Sequence, residues 1–127
     1  MVKVFAVAAG GAVGAVLRYL VSGWTQRLFG PSFPAGTLAV NVIGCLLLGF
    51  LGAAFARYVL IRDEWRLVIL VGGLGAFTTF STYGYETFSL VNEGQRWYAL
   101  ANVALSNVAG LTAVWAGYRL AERWYGG

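Results

Sequence analysis

Histidine is absent from this chain, cysteine occurs once and acidic residues number five. Without histidine there is no Ser-His-Asp triad and no histidine-based metal centre. The single cysteine, Cys45, lies inside an apolar run, so no disulfide framework and no thiolate cluster forms. No P-loop is present either, which leaves the chain without that route to nucleotide chemistry. Charge is scarcest of all. Soluble domains carry about 25% charged residues, whereas this chain has 11%, beside 59% hydrophobic residues and a mean hydropathy of +0.70. That little charge does not coat a soluble surface, so the bilayer is the expected solvent. The net charge of +4 comes from arginines scattered singly, which fits membrane-interface anchoring better than a nucleic-acid patch.

The 127 residues are one domain's worth. A bilayer span needs about 20 largely apolar residues, and four segments qualify: 4–28, 37–56, 67–91 and 98–120. The opening MVKVFAVAAGGAVGAVLR has the look of a signal peptide, but its small residues are spaced for helix packing and it is read as a retained first span. The connections GPSFPAG, RYVLIRDEWR and NEGQR are short, and Pro31 and Pro34 separate the first span from the second. The expected fold is an all-α integral membrane protein of four transmembrane helices. Gly10 with Gly14, Gly11 with Ala15, and Ser106 with Gly110 have the small-xxx-small spacing that lets helix backbones approach closely in lipid. Four short helices enclose little volume, so a permeation path would need a second subunit.

Polar groups at membrane depth are costly and tend to mark partners, cavities or pores. Arg18 lies well inside the first span and costs at least about 3 kcal/mol there. It either snorkels to the interface or serves as a vestibule charge that attracts anions. Asn41 is the one strongly polar residue of the second span. It either glues helices, worth about 0.6 kcal/mol, or donates its amide to an anion. VGGLGAFTTFST, in the third span, puts three glycines before three threonines and a serine. Glycine weakens a helix interior and hydroxyls compete for its backbone, so a break is expected between Gly75 and Thr79. Such breaks are tolerated where the backbone is buried in protein or lines water.

Beyond the break, Phe80 and Tyr83 share a helix face. Aromatic rings normally fill core space, but their edges carry positive partial charge and suit a small anion. Ser81 and Thr82 add hydroxyl donors. Asn102 and Ser106 stand in i,i+4 register in the fourth span, followed by Asn107. Glu86, one turn past Thr82, is the one acid well inside a span. This inventory of neutral donors, ring edges and one cation suits passive conduction of a small anion better than bond chemistry, so no enzyme is expected.

GGAVGAVLRY, GTLAVNVIG and GGLGAFTTFSTYGYE, with the small-polar fourth span, resemble the Fluc (CrcB-type) family of small fluoride channels over nearly the whole chain. The resemblance implies an antiparallel homodimer in the cell (inner) membrane with two fluoride pathways. It also implies a structural, untransported Na+ at the dimer centre, held by backbone carbonyls of the broken third helix, here Gly75 and Thr78. Carried over by motif, the fluoride path takes in Asn41, Phe80, Tyr83 and Ser106, with Thr79, Ser81 and Thr82 beside them. Arg18 and Glu86 match family positions. Tyr83 stands where the family usually has phenylalanine, and the fourth-span pore residue is Ser106, with Asn107 or Asn102 as the alternative.

Two alternatives follow from the residues. One is a small proton-coupled transporter using Glu86; the other is a scaffold subunit, which would leave TTFST without a purpose. Charge bias bears on the partner. With the four spans as drawn, Lys3, Arg57, Arg62, Arg66, Arg119 and Arg123 share one side, against Arg27 and Arg96 on the other. That favours a cytoplasmic N-terminus and opens a heterodimer with an oppositely oriented relative as the alternative to a homodimer.

Overall fold

A computed structural model describes residues 1–57 and 62–125; residues 58–61 of the second connection and 126–127 lie outside the described residues. It contains four helical spans long and apolar enough to cross a membrane, and no strand among the described residues. The first is α1, Val2–Phe29, and the second α2, Ala35–Arg57. The third is segmented into α3, Asp63–Arg66, a π-helical stretch Leu67–Leu74, α4, Gly75–Phe77, and α5, Phe80–Asn92. The fourth is α6, Arg96–Tyr125. The helices run past the apolar spans read from sequence because their charged and aromatic ends continue the helix toward the interface.

The packing is inside-out relative to a soluble protein. Buried positions are mostly small, such as Ala35, Ala54, Ala99, Ala113 and Ala121, while Leu17, Leu20, Leu48, Leu100 and Leu111 point outward. In lipid, large apolar side chains gain nothing by hiding, and close backbone approach decides the association instead. The GxxxG pair of α1 shows this directly. A Cβ added to Gly10 would overlap the Val68 carbonyl, and one added to Gly14 would overlap that of Gly73. The first span therefore lies backbone to backbone on the π-helical stretch. A second seam joins α2 to α6, where Gly49 abuts the Val114 carbonyl and Gly117 that of Leu46.

The turns are specific. α1 stops at Gly30, whose φ of 80° suits glycine, and residues 31–33 bend before Pro34 leads into α2. Gln26 holds this connection by donating to the carbonyls of Gly30 and Phe33 and accepting from the Gly36 N–H. At the opposite end, Arg57 donates to the Tyr125 carbonyl at 3.1 Å and Arg66 donates to the Phe55 carbonyl. These bonds place the end of α2, the start of the third span and the end of α6 on one side, as the charge count requires. Gly14→Ala is expected to cost about 1–3 kcal/mol through overpacking. Gly23→Ala, whose added Cβ meets nothing within 4 Å, should be neutral or stabilise by up to about 1 kcal/mol. Chemical unfolding in detergent micelles compares the two.

Candidate functional site

The third span breaks where a break is expected, and two hydroxyl residues carry it. Gly75 keeps helical angles (φ −61°, ψ −37°), whereas Thr78 and Thr79 are extended, with ψ of 160° and 116°. The cause lies on another helix. In a continuous helix the Thr79 N–H would donate to the Gly75 carbonyl. Here it donates instead to Asn41 Oδ1 at 2.8 Å, while Asn41 Nδ2 donates to the Thr79 carbonyl at 3.0 Å. The asparagine amide thus pairs with both backbone groups of one residue, as a neighbouring strand would. Glycine does not open this helix: Gly72 is packed against the backbone of α1 around Val7 and Gly10.

Thr79 also starts the next helix. Its Oγ1 accepts from the Thr82 N–H at 3.2 Å, capping α5, and donates to Thr82 Oγ1 at 2.9 Å. Ser81 Oγ lies 3.4 Å from Thr79 Oγ1. Thr78 donates from N and from Oγ1 to the Leu74 carbonyl, each at 3.1 Å, which closes the helix before the break. Gly75 and Thr78 line a hollow of about 270 Å³ together with Asn41, Cys45 and Phe80. The Phe80 and Tyr83 rings sit with centroids 5.5 Å apart and planes tilted by 53°. Phe80 is 83% exposed on the single chain, a ring projecting at membrane depth rather than filling the core.

On the other side of the break, a hollow of about 800 Å³ opens between α1, the first connection, α2 and α5. Arg18, Gln26, Thr37, Thr79, Thr82 and Glu86 are among its lining residues. The fold therefore gathers Arg18 and Glu86 at one hollow that reaches Thr79 and Thr82. Thr37 Oγ1 donates to Glu86 Oε1 at 2.8 Å, and Glu86 Oε2 is buried with no hydrogen-bond partner among the described residues. Thr37 was missed in the sequence, although it stands one helical turn before Asn41 on the same face of α2.

Ser106 is placed apart from Asn41, between α5 and α6. Its hydroxyl reaches Asn102 Oδ1 at 3.4 Å, and Asn102, fully buried, donates to Thr87 Oγ1 at 2.9 Å. Thr87 in turn donates to the Tyr83 carbonyl at 2.8 Å. Thr87 too was overlooked; its four-residue offset from Tyr83 was the available signal. Among the described residues no group of three or more His, Cys, Asp or Glu side chains is placed to hold a metal ion.

The family model described as CrcB-like protein, Camphor Resistance (CrcB), matches residues 5–118. The chain belongs to this family. It is 46% identical over 123 residues to the fluoride-specific ion channel FluC of Geobacter sulfurreducens, covering 97% of this chain and 99% of that protein. It is 47% identical over 118 residues to FluC 2 of Symbiobacterium thermophilum, covering 93% and 96%. FluC of Maridesulfovibrio salexigens is 45% identical over 120 residues, covering 94% and 95%. These relatives are named as channels and not as enzymes, in keeping with a multi-pass membrane chain whose polar residues include no catalytic set.

The Asn41–Thr79 pairing generates a direct test. Asn41→Leu leaves both backbone groups of Thr79 unpaired and should destabilise the fold by about 2–4 kcal/mol. Hydrogen exchange read by mass spectrometry should show the Thr79 amide protected in the parent chain and exposed in the variant.

Proposed function

We propose that this chain is a passive, fluoride-selective channel that lets fluoride leave the cell. The observation that carries this reading is the broken third span, with Asn41 clamped to Thr79 and hydroxyls and paired aromatic rings next to it, in a chain about 45% identical to named fluoride channels. Fluoride enters cells as neutral HF and is trapped as the anion in the less acidic cytoplasm. A membrane potential negative inside then favours anion exit by about 2.3 kcal/mol per 100 mV, so a channel needs no energy source of its own.

Selecting fluoride means replacing a tightly held water shell with close donors. The vestibule would gather anions at Arg18 and pass them to Thr79, Ser81 and Thr82 around the break. Asn41 has one amide hydrogen on the Thr79 carbonyl, which leaves its second for an anion. The tilted edges of Phe80 and Tyr83 and the hydroxyl of Ser106 would complete the path. Phe80 projects from the single chain, which supports a second subunit closing the path, as an antiparallel dimer with two pores. Gly75 and Thr78 would hold the structural Na+, since a turned-away Thr79 N–H frees the Gly75 carbonyl for a cation. That ion would neutralise carbonyl dipoles gathered where two broken helices meet.

A homodimer in the inner membrane is the simpler assembly. The unequal distribution of basic residues, and a relative named FluC 2, support the heterodimer as the other form. The half-buried Glu86, with one carboxylate oxygen lacking a hydrogen-bond partner among the described residues, is the feature that favours proton coupling. Efflux from liposomes holding only this purified chain decides among these. Fast fluoride efflux with chloride retained, and at least about ten-fold slower flux in Asn41→Ala and Phe80→Ile, is the expected outcome, a loss of about 1.4 kcal/mol or more. Well-folded protein without flux would point to an obligatory partner chain. Passive flux unchanged in Glu86→Gln would dismiss proton coupling.

A further inference from the structure

We infer that Asn107 is a positioning residue for Tyr83, fixing where this ring lies beside the fluoride path; the inference rests on the channel reading above. Asn107 lies near the middle of α6, exposed on the single chain. An amide at that depth is costly in lipid, and such residues commonly face a partner, a cavity or a pore. Its own orientation is set, because Nδ2 donates one hydrogen to the Val103 carbonyl at 2.8 Å. The same nitrogen lies 3.5 Å from the Tyr83 hydroxyl oxygen, a long contact that the second hydrogen spans.

The other end of Tyr83 is held independently. Its carbonyl accepts from Thr87 Oγ1, and Thr87 is bonded to the fully buried Asn102. With the backbone fixed, the ring keeps only its two side-chain torsions, and a contact at the phenol tip restrains the first, which swings the whole ring. The placement of the ring beside Phe80, with centroids 5.5 Å apart, is the quantity restrained. Phenylalanine at this position would present the same ring edge without any such tether. Tyr83 and Asn107 therefore act as a pair: the hydroxyl gives the ring a handle, and α6 holds it.

Fluoride and chloride efflux from liposomes is measured for the full-length chain and for Asn107→Ala, Tyr83→Phe, the double variant and Asn107→Gln. Each of the first two should change the fluoride rate or the fluoride-to-chloride ratio by about five-fold, the scale of one hydrogen bond. The double variant should go no further than the singles, and Asn107→Gln, which keeps the donor, should recover most of the parent behaviour. Multiplying effects in the double, or an Asn107→Ala chain indistinguishable from the parent, overturns the inference. A parent chain without fluoride flux defeats the channel reading instead. The contact then has its own readout in thermal unfolding: equal midpoint shifts in both singles and the double sustain the pair, and additive shifts reject it.

Discussion

The structure turns on one side chain pairing with one stretch of backbone. A transmembrane helix interrupted at depth leaves N–H and C=O groups without partners in a medium that supplies none. Asn41 meets that requirement for Thr79 with both ends of its amide, and Thr79 spends its own hydroxyl on the next helix. The break is thus a bonded joint between α2 and the third span. Rings and hydroxyls on α5 take their positions from where that joint starts the helix.

Around the joint, packing relies on the absence of side chains. α1 lies against the π-helical stretch through Gly10 and Gly14, and α2 lies against α6 through Gly49 and Gly117. Both seams bring peptide groups to distances that a methyl group would prevent. They hold the halves of the third span to different neighbours: the stretch before the break to α1, and α5 to α6 through Asn102 and Thr87. A rigid frame on either side lets a short extended segment persist at depth.

Several polar groups in this frame are only partly committed. Asn41 has given away its oxygen and one hydrogen, Glu86 has one oxygen bonded and one bare, and Ser106 leans toward Asn102. A pore needs groups of this kind, held firmly enough to be in place and with capacity left for an ion. The hollow at Arg18 and the smaller hollow at Phe80 both reach the joint at Thr79.

Much of this was open to reading along the chain. Scarce charge and four apolar runs dictate a four-helix membrane unit, because lipid tolerates few other backbones. The GxxxG spacing marks a close helix seam, and TTFST after a glycine cluster marks a discontinuity. Phe80 with Tyr83, and Asn102 with Ser106, are neighbours by helical periodicity alone. What periodicity does not contain is the pairing between elements. Asn41 and Thr79 are 38 residues apart, and Thr37 and Glu86 are 49 apart, so no local pattern joins them. Tertiary packing decided that the threonines open the helix while Gly72 and Gly73 pack it against α1, since a neighbouring amide supplies the extended backbone with the partners that lipid does not.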